Sequence, residues 1–154
     1  MKTNHEIDYK IYGEELQFVE IELDPNETAI AESGAFMMMD NGIEMQTIFG
    51  DGSQQQDSSL LGKLFSAGKR ILVGESLFMT TFTNEGSDKA KVSFASPYTG
   101  KIIPMDLSKL DGKIIAQKDA FLCAAMGVSI GIELQRKLGT GIFGGEGFIM
   151  QKIE

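Results

Sequence analysis

Two glutamates in repeated Gly-Glu pairs are the residues whose type and spacing could serve acid–base chemistry in this chain. Gly74-Glu75 and Gly145-Glu146 each precede an apolar run that ends in methionine. Two carboxylates held close together perturb each other's pKa, and perturbed carboxylates in a cleft can act as general acid and base. A glutamate that binds backbone at the turn before a strand is the simpler interpretation. We therefore predict structural roles for all four residues.

The sequence contains few residues that could serve nucleophilic or metal-dependent chemistry. Cys123 is the only cysteine and lies in the apolar run 120–126, which indicates a small buried side chain rather than a nucleophile. His5 is the only histidine and lies in a polar N-terminal segment. A metal site needs clustered ligands, and a Ser or Cys nucleophile needs a nearby base. We predict a non-enzymatic protein with no catalytic residues, no metal site and no cofactor.

The glycine-rich segment 139–147 resembles a phosphate-binding loop only in composition. No Gly-Lys-Ser/Thr follows it and no helix is predicted after it, so its glycines are interpreted as turn and bulge positions. The formal net charge is −8, from 14 Lys and Arg against 22 Asp and Glu. Because phosphate backbones bind clustered Lys and Arg, we predict no nucleic-acid partner.

The elements that would position these residues are mostly strands. Residues 6–12 alternate strictly, and Asn41-Gly42 predicts the turn of a hairpin between 35–39 and 43–48. Further strands are expected at 16–23, 28–31, 71–82, 90–96, 101–107, 112–117, 120–125, 127–134 and 148–153. Many short strands at regular turn spacing predict an all-β sandwich or barrel. The nine methionines are interpreted as core filler rather than as an adaptable interface.

One helix is predicted. After the polar segment 50–59, apolar residues recur at helical spacing within 60–67. Basic residues nearby could bring this stripe to an anionic membrane, but one short stripe with few basic residues binds bilayers weakly. We expect packing on the sandwich and no membrane contact. Since residues 1–6 are polar and no apolar run approaches a membrane span, we also expect a cytoplasmic protein.

The sequence repeats itself at a constant shift. The pairs Ile30 and Ile115, Phe36 and Phe121, and Gly42 and Gly127 are each 85 positions apart, whereas Gly74 and Gly145 are 71 apart. The difference predicts an insertion, at about 50–68, in the first copy alone. We predict a single β-sandwich domain over 1–154, with an internal repeat of about 15–96 and 100–154.

The repeat predicts an edge that needs a partner. In the first copy the Gly-Glu strand is followed by strand 90–96, whereas in the second the sequence ends after 148–153. Another subunit supplies the missing partner, or strand 148–153 pairs elsewhere, or its edge lies open. Because open apolar edges promote aggregation, we expect this strand to be covered.

Four motifs, in their order and spacing, resemble the altered-inheritance-of-mitochondria family. They lie at residues 31–37, 74–78, 120–122 and 144–148, and the resemblance covers about 7–153. It implies a fold similar to that of the tryptophan RNA-binding attenuation protein, namely a double-stranded β-helix or jelly-roll-like sandwich. It implies no established enzymatic activity and no catalytic residues. Family members usually continue well past the second Gly-Glu motif.

These inferences combine into one predicted architecture with two open functions. The chain should be an all-β, jelly-roll-like sandwich of two related halves with one short helix in an insertion. We expect an oligomeric scaffold or protein-interaction module, with homo-oligomers as the predicted assembly. The alternative is a small-ligand-binding sandwich with an apolar pocket lined by Met and Phe. A closed apolar pocket of several hundred cubic ångströms would favour that alternative.

Overall fold

The computed structural model describes residues 6–32, 34–49, 78–117, 119–135 and 148–154. The strands in these ranges are β1 (Asp8–Tyr12), β2 (Phe18–Leu23), β3 (Thr28–Glu32), β4 (Phe36–Met39), β5 (Ile43–Phe49), β6 (Phe78–Asn84), β7 (Ala90–Ala95), β8 (Ile114–Gln117), β9 (Cys123–Ala125), β10 (Ile130–Gln135) and β11 (Phe148–Ile153). A short 3₁₀ helix, Leu107–Lys109, precedes β8. The predicted helix at 60–67 and the predicted insertion at 50–68 lie outside the described residues.

The strands form three antiparallel sheets. The first sheet has the order β1-β2-β7-β4, the second β5-β6-β3-β9 and the third β10-β11-β8. Strand β2 shows how the sequence directs this arrangement. Val19, Ile21 and Leu23 alternate with Glu20 and Glu22, and only the apolar set is buried. Because side chains alternate between the faces of a sheet, the apolar set covers the core and the glutamates face water.

Strand β3 is buried on both faces. Ala29 and Ala31 pack in a first core cluster with buried residues of β2 and β7. Ile30, between them in sequence, packs instead in a second cluster with Ile130 and Ile153 of the third sheet. Because successive side chains point to opposite faces, the second sheet lies between the other two. The fold is an all-β sandwich, and the predicted fold class is confirmed.

In each sheet, residues that pair directly with one another form a row across the strands, with their side chains on the same face. The three rows occupy equivalent positions in their sheets. In the first sheet the row is Tyr9, Ile21, Val92 and Met39. In the second sheet it is Met45, Phe82, Ala29 and Ala125. In the third sheet it is Ile130, Ile153 and Ile114. The second and third rows are related by the shifts of the sequence repeat, since 130 − 45 is 85 and 153 − 82 is 71.

The turns follow the same shift. Three pairs of residues with positive φ lie 85 positions apart: Asn26 and Asp111, Gly34 and Asp119, and Gly42 and Gly127. The left-handed backbone is costly for most residues, so it marks turns whose geometry is specified. The repeat therefore relates turn conformations as well as apolar positions.

The hairpin predicted at Asn41-Gly42 is wrong. Gly42 adopts the expected positive φ of 95°, but the strands on either side of the turn enter different sheets. Strand β4 pairs with β7, and β5 pairs with β6. The end of β4 is held on β7 because the Asp40 N–H donates to the Lys91 carbonyl at 2.8 Å, while the Lys91 N–H donates to Asp40 Oδ2 at 2.9 Å. Pairing with a distant strand overrides the local turn signal.

The strand predicted at 101–107 is also wrong. The segment is irregular and ends in the 3₁₀ helix. The Asp106 carboxylate caps that helix by accepting from the Ser108 N–H at 3.1 Å and from its hydroxyl at 2.6 Å. These hydrogen bonds hold the Asp106 pKa below its ordinary value. An aspartate that binds nearby backbone favours a turn over an extended strand.

The strand at 148–153 finds its partners within the chain. Strand β11 lies between β10 and β8 and pairs with both of them. Of the three possibilities that the sequence left open, internal pairing is the one that the structure shows. Within the described ranges, the edges of the third sheet are therefore β10 and β8.

Candidate functional site

The structure brings only part of the predicted chemistry into view. Gly74, Glu75, Gly145 and Glu146 lie outside the described residues, as does His5. Among the residues that are described, no three His, Cys, Asp or Glu side chains are grouped so that they could hold a metal ion. No helix in the same part of the chain is long and apolar enough to cross a membrane.

Cys123 lies in β9, opposite Ala31 of β3, and packs against the first core cluster. Although the residue keeps part of its accessible surface, desolvation raises the pKa of its thiol to about 12. Apolar surroundings disfavour the thiolate, which is the nucleophilic form of cysteine. The geometry is that of a structural thiol.

We expect native Cys123 to resist alkylation. With a pKa of about 12, roughly 10⁻⁴ of the thiol is ionised at pH 8, whereas an unperturbed thiol is ionised by about a quarter. A thiolate of higher pKa is also more nucleophilic, which offsets part of this difference. Iodoacetamide should label the native protein at least about tenfold more slowly than the urea-unfolded protein, as followed by mass spectrometry. Because the folded pKa lies above the unfolded one, stability should fall as the pH rises above about 8.5. Equal labelling rates in the two states would contradict this assignment.

Two carboxylates do meet in the structure, and sequence reasoning missed them. Glu85 lies beside Glu44, and the hydrogen bond that a protonated Glu85 can donate to the Glu44 carboxylate raises the pKa of Glu85. The pKa of Glu44 is lowered, first by the hydrogen bond that Gln46 Nε2 donates to it at 2.8 Å. Both glutamates are exposed. They lack the desolvated cleft in which paired carboxylates act as acid and base.

A surface cavity of about 330 Å³ lies beside the end of β8 and is lined by Tyr98, Gln117, Asp119 and Ala120. Among the described residues, neither methionine nor phenylalanine lines it. Ligand pockets are mostly apolar with a few polar groups. This cavity therefore differs from the apolar pocket that the ligand-binding alternative predicts.

The most unusual surface of the described residues is β4, one of the two outer strands of the first sheet. Its four residues, Phe36, Met37, Met38 and Met39, are 40, 49, 48 and 38% exposed. We call these four residues the β4 edge. β4 pairs with β7 on one side, and its other side has no strand partner among the described residues. The interpretation of the methionines as core filler is therefore wrong for these three, because the sheet order leaves β4 outermost.

The β4 edge is continuous with the core. The ring of Phe36 stacks on Phe82, with centroids 5.3 Å apart. Phe82 is fully buried, and its cross-strand neighbour Met45 is 51% exposed. Phe36 and Met45 therefore extend the apolar surface from the buried ring to solvent. Methionine has a flexible, polarizable side chain that adapts to a partner's surface.

The β4 edge also lacks the protection that most edge strands carry. Charged side chains, proline or an irregular outer strand normally discourage pairing with another chain. The opposite edge of the same sheet, β1, has Asp8 and Lys10. The β4 edge has no charge and no proline, and its single irregularity is a register shift between Phe36 and Met38. An exposed, uncharged apolar edge is a typical site of strand pairing between molecules.

Comparisons with known proteins agree with this fold. The structure is similar to the X-ray crystal structure of protein SPYM3_0169 from Streptococcus pyogenes, with 17% sequence identity and a TM-score of 0.59. The alignment covers 97% of this chain and 61% of that chain, so this chain spans less than two thirds of its length. At this identity the similarity shows the fold alone. No curated protein matches the chain.

A family model described as "Mitochondrial biogenesis AIM24" matches residues 9–154. The match agrees with the family resemblance predicted from the motifs at 31–37, 74–78, 120–122 and 144–148. It extends over nearly the whole chain, so it does not depend on a single motif. The chain belongs to the mitochondrial biogenesis AIM24 family.

Proposed function

We propose that this chain is a non-enzymatic protein-interaction module that self-associates through the β4 edge. The observation that carries the proposal is the exposure of four consecutive apolar residues on an outer strand. Two copies of β4 in antiparallel pairing would extend the first sheet across a twofold axis. Their free backbone groups would be satisfied, and their methionines would be removed from water.

A second copy suits this edge on electrostatic grounds. The formal net charge of −8 gives the molecule an acidic surface on average. The four residues of β4 are uncharged, so pairing β4 with β4 places no like charges opposite each other within the strand. Like charges in directly opposed positions destabilise a pair of strands. Self-association thus uses a strand that adds no like-charge repulsion of its own.

We expect the wild-type chain to be a dimer and Met38→Lys to weaken the dimer by at least about tenfold in Kd. Lysine is a common natural device for blocking edge pairing. The matched control is Tyr9→Lys, which places the same charge on the opposite edge, at a side chain that is 53% exposed. Light scattering over a concentration series measures the mass, and thermal unfolding checks that both variants remain folded.

Three outcomes would reject the proposal. They are a wild-type monomer at every concentration, a Met38→Lys dimer as tight as the wild type, and equal weakening by Tyr9→Lys. The third outcome would show that net charge, rather than the β4 edge, sets the association.

A further inference from the structure

The third sheet is one strand shorter than the other two in the described part of the chain. The first and second sheets have four strands each, whereas the third has β10, β11 and β8. The row Ile130, Ile153 and Ile114 therefore stops at β8. Ile115 is 36% exposed on this edge strand, and β8 itself carries no charged residue.

The chain supplies fourth strands by a regular rule. In the order of the second sheet the third strand is β3. The strand that follows β3 in the sequence is β4, and it becomes the fourth strand of the first sheet. In the third sheet the third-position strand is β8, and the next strand, β9, becomes the fourth strand of the second sheet. The third-position strand of the first sheet is β7. By the same rule, the segment that follows β7 would become the fourth strand of the third sheet.

The pairing registers specify where that segment would lie. In the first sheet Val92 pairs with Met39, and the equivalent row position in the third sheet is Ile114. Ala29 is the third residue in the row of the second sheet, and Val92 is the third in the row of the first sheet; they lie 63 residues apart in the sequence. The same step from Met39 leads to Ile102. The step from β8 to β9, from Ile114 to Ala125, is one residue longer than that from Ala29 to Met39 and would lead to Ile103 instead. We place Ile102 opposite Ile114, because Ile103 in that position would turn Lys101 toward the core. An antiparallel strand then places Lys101 opposite Ile115 and Gly100 opposite Ala116.

The observed position of Tyr98 agrees with this register. A strand antiparallel to β8 must begin beside the C-terminal end of β8, which is Gln117. Tyr98 lines the same surface cavity as Gln117 and Asp119. The segment therefore already starts at the point from which it could run along β8 toward Ile114.

Beyond Tyr98, contacts with the segment that precedes β2 hold residues 100–102 away from β8. Gly100 forms an isolated parallel bridge with Leu16, and the Ile102 N–H donates to Gln17 Oε1 at 2.8 Å. Lys101 Nζ donates to the carbonyl of Glu14. Tyr98 and Ile103 remain 70 and 66% exposed. Ile102 is half-buried and packs against the first core cluster. The segment is thus held by one bridge, two side-chain hydrogen bonds and one apolar contact, without the antiparallel ladder that β8 could offer it.

The composition of the segment suits an edge strand. Residues 98–103 read Tyr-Thr-Gly-Lys-Ile-Ile and are bounded by Pro97 and Pro104. Tyrosine, threonine and isoleucine favour strands, and proline suits strand ends. In the inferred register Ile102 would face the core beside Ile114, which packs against the second core cluster. Lys101 would point to solvent.

We propose that residues 98–103 dock on β8 as the antiparallel fourth strand of the third sheet, within the same chain. The docked strand completes an all-isoleucine row of Ile130, Ile153, Ile114 and Ile102. It also covers an uncharged edge that would otherwise invite pairing with another chain. The inference concerns β8 and is independent of self-association through the β4 edge.

Disulfide trapping tests the proposal. In a Cys123→Ala background, Lys101→Cys with Ile115→Cys places two cysteines directly opposite each other in the inferred register. Paired Cα atoms in an antiparallel ladder are about 4.5–5.5 Å apart, within the range that a disulfide spans. The register control combines Lys101→Cys with Lys113→Cys, two positions away. Both double variants lack the Lys101 contact with Glu14, so their comparison is not biased by its loss.

We expect the opposed pair to form an intramolecular disulfide under mild oxidation at least about tenfold faster than the control. Non-reducing electrophoresis and intact mass separate monomeric from dimeric products. Equal rates for the two double variants would overturn the proposal. So would a disulfide found only in dimers, because the fourth strand would then come from a second copy. A third double variant, Leu16→Cys with Gly100→Cys, measures the arrangement in which residues 98–103 contact Leu16 instead of β8. A disulfide that forms in this variant and not in the opposed pair would also overturn the proposal.

Discussion

Replacing Asn84 by aspartate should destabilise the fold by about 2–4 kcal/mol. Asn84 is fully buried, and its Nδ2 donates to the carbonyls of Leu23 at 2.9 Å and Asp88 at 2.8 Å. Its Oδ1 accepts from the Gly86 N–H at 2.9 Å. Aspartate keeps the shape and the acceptor but removes both donors, so two carbonyls would face a buried carboxylate.

The pH dependence gives this prediction a second readout. Burial among carbonyls should raise the folded-state pKa of the new carboxyl above its unfolded value of about 3.9. Its protonated form can donate one hydrogen bond, so the variant should approach the wild type below pH 4. Its deficit should grow as the pH rises through the folded pKa.

Thermal unfolding measures both effects. A loss of this size corresponds to about 5–15 °C in Tm for a chain of this length. Asn41→Asp is the matched control, since Asn41 is an exposed turn residue. Similar Tm losses for the two variants at pH 7 would show that Asn84 does not tie β2, β6 and the following turn together.

Replacing Phe82 by alanine should cost about 3–5 kcal/mol. The Phe82 ring has no exposed surface. It lies edge-on to Phe94 with centroids 5.0 Å apart, and it stacks on Phe36 at 5.3 Å. Truncation would remove one of the two buried phenylalanines between the first two sheets and leave a cavity, because surrounding strands relax only partly. Urea unfolding, with the m-value checked for constancy, gives the free energy.

The neighbouring phenylalanine is the control for this second prediction. Phe36 is 40% exposed, so Phe36→Ala should cost clearly less than Phe82→Ala. A double-mutant cycle should show a coupling of about 0.5–1.5 kcal/mol between the stacked rings. If Phe82→Ala does not fold, Phe82→Leu should still lose about 1–2 kcal/mol. Equal losses for Phe36→Ala and Phe82→Ala would contradict the assignment of Phe82 to the core.

Local patterns in the sequence determined the class of the fold. The alternation of apolar and charged residues in 18–23 specified both the strand and its buried face, because side chains alternate along an extended chain. The repeat shift of 85 relates β5 to β10 and the positive-φ turns to each other, and the shift of 71 relates β6 to β11, so that the two strand pairs have equivalent registers. The repeated segments pair with partners that are themselves repeated, so the register of β5 on β6 is equivalent to that of β10 on β11.

The tertiary structure alone decided which strand is outermost and which residues meet. An apolar run such as 36–39 suits a buried strand as well as an edge, and its exposure follows from the distant strand that pairs beside it. The Asn41-Gly42 turn could not reveal that its two strands enter different sheets. The contact between Glu44 and Glu85 depends on the pairing of β5 with β6, which are far apart in the chain. Strand partners depend on non-local packing and register, and periodicity within one segment carries no information about them.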